Sequence, residues 1–432
     1  MRKINNINPL LNNLGEDVMS FLNEIQQKYP KAISLASGRP NEDYFDLKNF
    51  PEYFNLYIDY ESSSKKKSRK EVLNSLGQYN QTKGIINKLI SKYLSKDEKI
   101  SVNPDDILLT VGTQEGLVIT VMTLCDKEND VIIVEDPAYV GITHFSIIAG
   151  YQIEPVCVNQ DGISLKMLEE KIIQCKNHNK VVKIVYVIPD FQNPTGNNMT
   201  LENRHRLLDL ANKYNFFIVE DNAYGEFVYK GKRKLTLKAL DINKRVIYLH
   251  SFSKTIYPSL RLGAMIADQV IQHEENWIAL SDLMAKTKGY ITVNTSSISQ
   301  AILGGVLIKN GFSLKAMNKE KVLSMKRKRN LMLSSLEKFL NIKSSPWAKA
   351  ISWNIPDGGF FITISLPFKV DKNEVAFCAE NYQVIFTPMS FFYFNKGGSN
   401  EIRLAFSNIP DRKMEHAIKN LTMYFKHKII NN

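Results

Sequence analysis

Six short runs of this chain are apolar almost from end to end. They are 107–112 (ILLTVG), 130–136 (DVIIVED), 183–190 (KIVYVIPD), 216–221 (FFIVED), 245–250 (RVIYLH) and 262–267 (LGAMIA). None alternates apolar with polar residues, so none can turn one face to water; strands buried on both faces read this way. Segments of helical period fall between several of them, including 116–125 and 201–214. Such alternation predicts an α/β domain with a mostly parallel central sheet flanked by helices. In such sheets ligands bind beyond the carboxyl ends of the strands, so chemistry should collect there.

It does. The first five runs lead into Gly112-Thr113-Gln114, Asp136-Pro137-Ala138-Tyr139, Asn193-Pro194-Thr195-Gly196, Asp221-Asn222-Ala223-Tyr224 and Ser251-Phe252-Ser253-Lys254. One polar cluster would mean little, but five on the side where a ligand would sit mark a site.

The C-terminal third reads differently. Short strands are predicted at 358–367, 384–392 and 401–408, with helices at 371–382 and 411–427, which makes a smaller α+β domain. The expected division is an N-terminal segment at 1–50 that contributes to the small domain and the substrate pocket, a large domain at 51–312, and a small domain at 313–432. The net charge of +12 is concentrated at 62–71 (SSSKKKSRKE) and 319–329 (KEKVLSMKRKR). The first run is expected to be a polar loop and the second the wet face of a long helix. No aromatic residues interleave with them, so no nucleic-acid partner is expected. Cys125, Cys157, Cys175 and Cys378 form no CxxC pair, and residues 1–18 hold no long apolar stretch. Reduced thiols, no membrane and a cytoplasmic location are the expectation.

The motifs DFQNPTG (190–196), EDNAYGEF (220–227), HSFSKTIYPSLRLG (250–263) and IRLAFSN (402–408) together resemble the fold-type I pyridoxal-phosphate aminotransferases. The branch they resemble contains the kynurenine/2-aminoadipate transaminases and the aminotransferase-like half of the MocR regulators. The similarity runs from about Ile33 to Asn408.

The residues support such a site on their own chemistry. Lys254, ringed by hydroxyls, is a lysine that could shed its proton and hold an aldehyde. Asp221 ends a buried strand and needs a cation, which a protonated pyridine nitrogen would be; Glu220 is the weaker alternative. Gly112, Thr113 and Gln114 open a helix and offer N–H groups to a phosphate, with Ser251, Ser253 and Arg261 completing the seat.

The resemblance implies further roles. Tyr139 would stack on the cofactor ring, and Asn193 and Tyr224 would bind its phenolic oxygen. Tyr79 would reach the phosphate from a neighbouring subunit, which implies a homodimer with shared sites. Arg403 would grip the substrate α-carboxylate, and Asn193, Gly38 and Arg39 would border the substrate. Arg39 stands where the family's GGLP segment has an apolar residue, and Pro388-Met389-Ser390-Phe391-Phe392 departs from its PG-x-x-F. The implied activity is transfer of an amino group from an L-amino acid, aromatic, 2-aminoadipate-like or similar, to a 2-oxo acid such as 2-oxoglutarate by a ping-pong mechanism, with no metal. A pyridoxal-phosphate lyase or cyclase is the alternative. A MocR-type sensor is the less favoured one, since the resemblance leaves no room for a DNA-reading domain ahead of residue 33.

Overall fold

The computed structural model describes residues 8–14 and 17–431. The apolar runs assemble into one eight-stranded sheet. Its spatial order is Ile107–Thr110, Gly263–Ile266, Val246–Ser251, Phe217–Asn222, Val181–Val187, Asp130–Asp136, Gln152–Asn159 and Gly162–Ile163. Asp130–Asp136 is buried at every position, as a strand covered by helices on both faces must be. Each Val or Ile buried there contributes roughly 1.5–3 kcal/mol, so the run is strongly specified.

Six of the eight strands run the same way. Gly263–Ile266 is antiparallel to both of its neighbours. Its carboxyl end therefore points to the opposite edge, which is why the sixth apolar run leads into no polar cluster. Two edge strands were not predicted. Gln152–Asn159 is mostly half-buried and carries Glu154 and Pro155, so it lacks the apolar signature. Gly162–Ile163 is too short to show any pattern.

A second, antiparallel sheet has the order Ser352–Trp353, Phe361–Ser365, Glu401–Ala405 and Thr387–Pro388. Helices Lys315–Leu340, Lys372–Tyr382 and Asp411–Ile430 accompany it. The expected strand at 384–392 is broken. Val384–Ile385 and Thr387–Pro388 are extended, but Met389–Phe392 coils into a 3₁₀ turn. The cause is tertiary: Ala138 N–H donates to the Phe392 carbonyl at 2.9 Å and draws the segment towards the first sheet.

The early segment bridges the two sheets. Ile33–Ser34 pairs in parallel with Val384–Ile385, and the Leu35 carbonyl accepts the Ala405 N–H. Three residues on, at Gly38, the backbone reaches the Lys254 amine, as described below.

Both basic runs depart from expectation. The 62–71 stretch is not a loop but the junction of helices Phe50–Lys65 and Arg69–Leu76. Ser68 caps the second helix and Glu71 reaches back to close a capping box, a pairing that the string of lysines obscures. In Lys315–Leu340, Lys321, Lys328 and Arg329 are buried, so the wet face holds only part of the charge.

Candidate active site

The carboxyl ends of the parallel strands open onto a cavity of about 210 Å³. Gly112, Thr113 and Gln114 line it from one strand end, Tyr139 from the next, and Asn193 from the NPTG turn. Asp221 and Tyr224 enter after Phe217–Asn222, and Ser251, Ser253, Lys254 and Arg261 after Val246–Ser251. Every expected cofactor contact but one thus meets in one place. Tyr79 does not: its side chain is 83% exposed and turns away from its own chain's cavity.

Three ionisable groups decide what this cavity can do. Asp221 is buried; its Oδ2 accepts the Tyr186 hydroxyl at 2.9 Å, while Oδ1 has no partner. Burial pushes its pKa up to about 6, and the tyrosine bond holds it from rising further. The other candidate, Glu220, is already spent, accepting the backbone N–H groups of Leu237 and Lys238. Lys254 donates from Nζ to the Gly38 carbonyl at 3.2 Å. Burial, reinforced by Arg403 and Arg261, pushes its pKa down to about 8.

Arg403 is 5% exposed and lies between the rings of Phe361 and Phe392, 4.3 and 4.5 Å from their centroids. Its Nη1 donates to Asn193 Oδ1 at 2.7 Å and its Nη2 to the Ala36 carbonyl at 3.0 Å, while Nε has no partner. None of these contacts carries negative charge. Desolvation pushes its pKa down to about 10. A guanidinium kept buried without a counter-ion is a receptor for one.

At the far end, Gly112 adopts φ +71° at the start of helix Gly112–Leu124, where backbone N–H groups lack intrahelical partners. A Cβ on Gly112 would lie 2.6 Å from Arg261 Nη2, so only glycine lets the arginine close against this turn. The arrangement suits a phosphate: helix N-terminus, guanidinium and two serines.

Four contributors escaped sequence reasoning. Ile188, Ala223 and Pro258 line the cavity. Tyr186 was read only as an apolar position of its strand. A buried tyrosine needs a partner for its hydroxyl, which was the available signal, but the sequence could not say that the partner is Asp221. Of the substrate candidates, Gly38 touches Lys254 and Arg403 touches Asn193. Arg39 is exposed, donating to Asn23 Oδ1 at 3.2 Å on helix Val18–Lys28.

Comparison with known proteins identifies the arrangement. The family described as aminotransferase class I and II matches residues 51–421. The chain belongs to that family. It is 38% identical over 403 residues to (S)-3,5-dihydroxyphenylglycine transaminase of Amycolatopsis orientalis, covering 93% of this chain and 90% of the relative. It is 30% identical to aromatic-amino-acid aminotransferase 1 of Thermococcus litoralis, covering 92% and 88%. The crystal structure of Pyrococcus horikoshii kynurenine aminotransferase in complex with PMP superposes with a TM-score of 0.81 at 29% identity, covering 96% and 95%.

This aminotransferase is therefore pyridoxal-phosphate dependent, and its cavity fits that group on its own terms. The orphaned Asp221 oxygen suits a protonated ring nitrogen, Lys254 an aldehyde, and the Gly112 turn a phosphate.

The Asp221 reading has a measurable consequence. In cofactor-free protein the folded carboxyl titrates near 6, against 3.8 for its ordinary value. The folded state then binds the extra proton between those values, so stability falls as pH rises across that window and stays lower above it. Asp221→Asn removes the penalty. Cofactor-free Asp221→Asn should be about 1–3 kcal/mol more stable than the parent at neutral pH, with the gap closing in acid. Urea midpoints across the pH range read this directly. Activity of the cofactor-loaded variant should fall on the order of 100-fold. Equal midpoints at every pH would show that Asp221 carries no desolvation penalty.

Proposed function

We propose that this aminotransferase takes its amino group from an aromatic L-amino acid and returns it to 2-oxoglutarate, in two half-reactions of ping-pong form. The observation that carries the reading is the pairing of Arg403, buried without a counter-ion, with a Lys254 whose charge is easily shed. Bound pyridoxal phosphate supplies the electron sink and carries the amino group between half-reactions.

The chain's own residues do the rest. Lys254 would hold the cofactor and, as a neutral amine, take the substrate Cα proton. Asp221, its carboxylate oriented by Tyr186, would pair with the protonated ring nitrogen. Tyr139, Asn193 and Tyr224 would hold the ring, and Gly112, Thr113, Gln114, Ser251, Ser253 and Arg261 would seat the phosphate. Arg403 grips the α-carboxylate of either substrate with its fork of N–H groups.

The rings around Arg403 support an aromatic donor. Phe361 and Phe392 sandwich its guanidinium, and Phe391 meets Phe21 edge-on at 5.5 Å. The relatives named for dihydroxyphenylglycine and aromatic amino acids agree. For the acceptor's second carboxylate we propose Arg39. Its exposed guanidinium is tied by one neutral hydrogen bond to Asn23, so it can swing, and the 2.6 Å bond from Ser407 Oγ to its carbonyl anchors the backbone beneath.

We further propose a homodimer in which Tyr79 completes the partner's phosphate seat. Tyr79 is 83% and Tyr290 87% exposed, a large apolar area to leave in water. The 2.9 Å bond from Asn80 Nδ2 to Ser297 Oγ ties the Tyr79 turn to the helix that follows the Tyr290 segment. The four free cysteines support a reducing, cytoplasmic setting. Among the described residues, no helix is long and apolar enough to cross a membrane.

Borohydride reduction of the yellow holoenzyme should abolish its visible band and place the label in the peptide containing Lys254. A label elsewhere ends the reading. Mixing inactive Lys254→Ala and Tyr79→Ala chains should restore part of the activity, because one of the two composite sites in a heterodimer is then intact. A fully active monomer would refute the shared site. Arg39→Leu should lower kcat/KM for dicarboxylic substrates roughly 10- to 150-fold, the value of one charge-assisted hydrogen bond of about 1.5–3 kcal/mol. An aromatic donor should be nearly untouched in its own half-reaction. Equal losses for both, or none for either, would make Arg39 structural.

A further inference from the structure

The long helix Lys315–Leu340 buries three cations from a stretch that the sequence presents as solvent-facing. Each donates to a backbone carbonyl, and Lys328 also pairs with the Asp411 carboxylate at 3.1 Å. Lys321 donates to Thr255, Lys328 to Ile409, and Arg329 to Pro356 at 2.7 Å. Burying an ammonium is costly, and lysine is among the residues least often fully buried. The acceptor of the first bond stands out, because Thr255 is the residue after Lys254.

Lys321 is 3% exposed, and Thr255 is 3% exposed with an unpartnered Oγ1. The turn that carries Lys254 is closed on itself by one backbone bond, from Ile256 N–H to the Phe252 carbonyl at 3.0 Å. Its Thr255 carbonyl points out of the turn and is met by Lys321. One helical turn earlier, Asn318 donates to Glu226 at 2.8 Å, and Glu226 accepts the Tyr93 hydroxyl at 3.0 Å. Tyr93 in turn bonds His250 at 3.1 Å, on the strand that leads to Ser251. Glu226 also acts electrostatically on Lys321, offsetting part of the burial that pushes its pKa down to about 8. The same helix face thus supports the Lys254 turn from two sides.

We propose that Lys321 is a positioning residue for Lys254: by holding the Thr255 carbonyl, it fixes the turn from which the catalytic amine reaches the cofactor and the substrate Cα. It never touches either reactant. Because the helix shares a core with the second sheet, a shift of that layer reaches the Lys254 turn through this hydrogen bond. The inference rests on reading Lys254 as the cofactor lysine, which borohydride labelling of the parent enzyme tests separately.

The test compares Lys321→Met with Lys328→Met as purified holoenzymes. Lys328 makes the same kind of bond two helical turns away, to Ile409, and also pairs with Asp411, so its replacement is the harsher control for loss of a buried cation. Lys321→Met should lower kcat on the order of 10- to 100-fold with KM little changed. It should also shift the pH midpoint of the visible band and speed amide exchange in 252–257. Lys328→Met should do none of these. Lys321→Arg, which keeps a donor, should recover much of the loss. Should the buried methionine prevent folding, Lys321→Gln, whose shorter amide stops short of Thr255, makes the same comparison. If kcat, band midpoint and exchange are unchanged in the Lys321 variant, or equally altered in both, Lys321 has no positioning role. That outcome leaves Lys254 standing if the label maps to it.

Discussion

Three ionisable groups, Asp221, Lys254 and Arg403, are held in or beside one cavity with none neutralising another. Asp221 leaves one oxygen without a partner, and Arg403 keeps Nε free and bonds only neutral oxygens. Lys254 is driven towards its neutral form by burial and by the two guanidinium groups near it. Left to itself a chain would pair these charges or turn them out to water, since isolated buried ions are among the most unfavourable features a fold can hold. The surrounding structure prevents that rearrangement, and in the proposed function the bound cofactor and substrate supply the missing partners.

The sheet is what enforces the separation. Parallel strands that are buried on both faces are locked by close packing against the layers that cover them. Asp221 lies at the end of Phe217–Asn222 and Lys254 just beyond the adjacent Val246–Ser251, so the pairing of these strands carries both to the same edge. The substrate side is built differently. Arg403 comes from the second sheet, and the Ile33–Arg39 segment is stitched to that sheet while its Gly38 carbonyl meets Lys254. Under the proposed roles, the cofactor residues belong to one layer and Arg403 to another. The helix Lys315–Leu340 spans the gap with cations bonded to backbone on either side.

Much of this was legible in the chain itself. Helix 201–214 and strand 130–136 were read to the residue, because periodicity and flanking turn chemistry are local. Motif spacing located the cavity-lining residues, since nearly all of them lie at a strand's carboxyl end or within a few residues beyond it. What failed had non-local causes. The stretch after Pro388 looks like a strand until Phe392 finds the Ala138 N–H, and the lysine run at 62–71 looks like a loop until Ser68 and Glu71 cap each other.

The sequence by itself determined the mostly parallel sheet, the family and the set of residues at the strand ends, because those follow from short-range pattern and composition. The tertiary structure alone decided which charges are paired. Lys321, Lys328 and Arg329 cannot be told from their solvent-facing neighbours by spacing, yet they are buried against carbonyls contributed from 66, 81 and 27 residues away. Likewise Glu220 and Asp221 are adjacent carboxylates on one strand, and the pleat sends them to opposite faces. One meets the helix N-terminus at Leu237 and is consumed; the other meets Tyr186 and keeps an oxygen free. A hydrogen-bond partner is a fact about space, and no local pattern of residues encodes it.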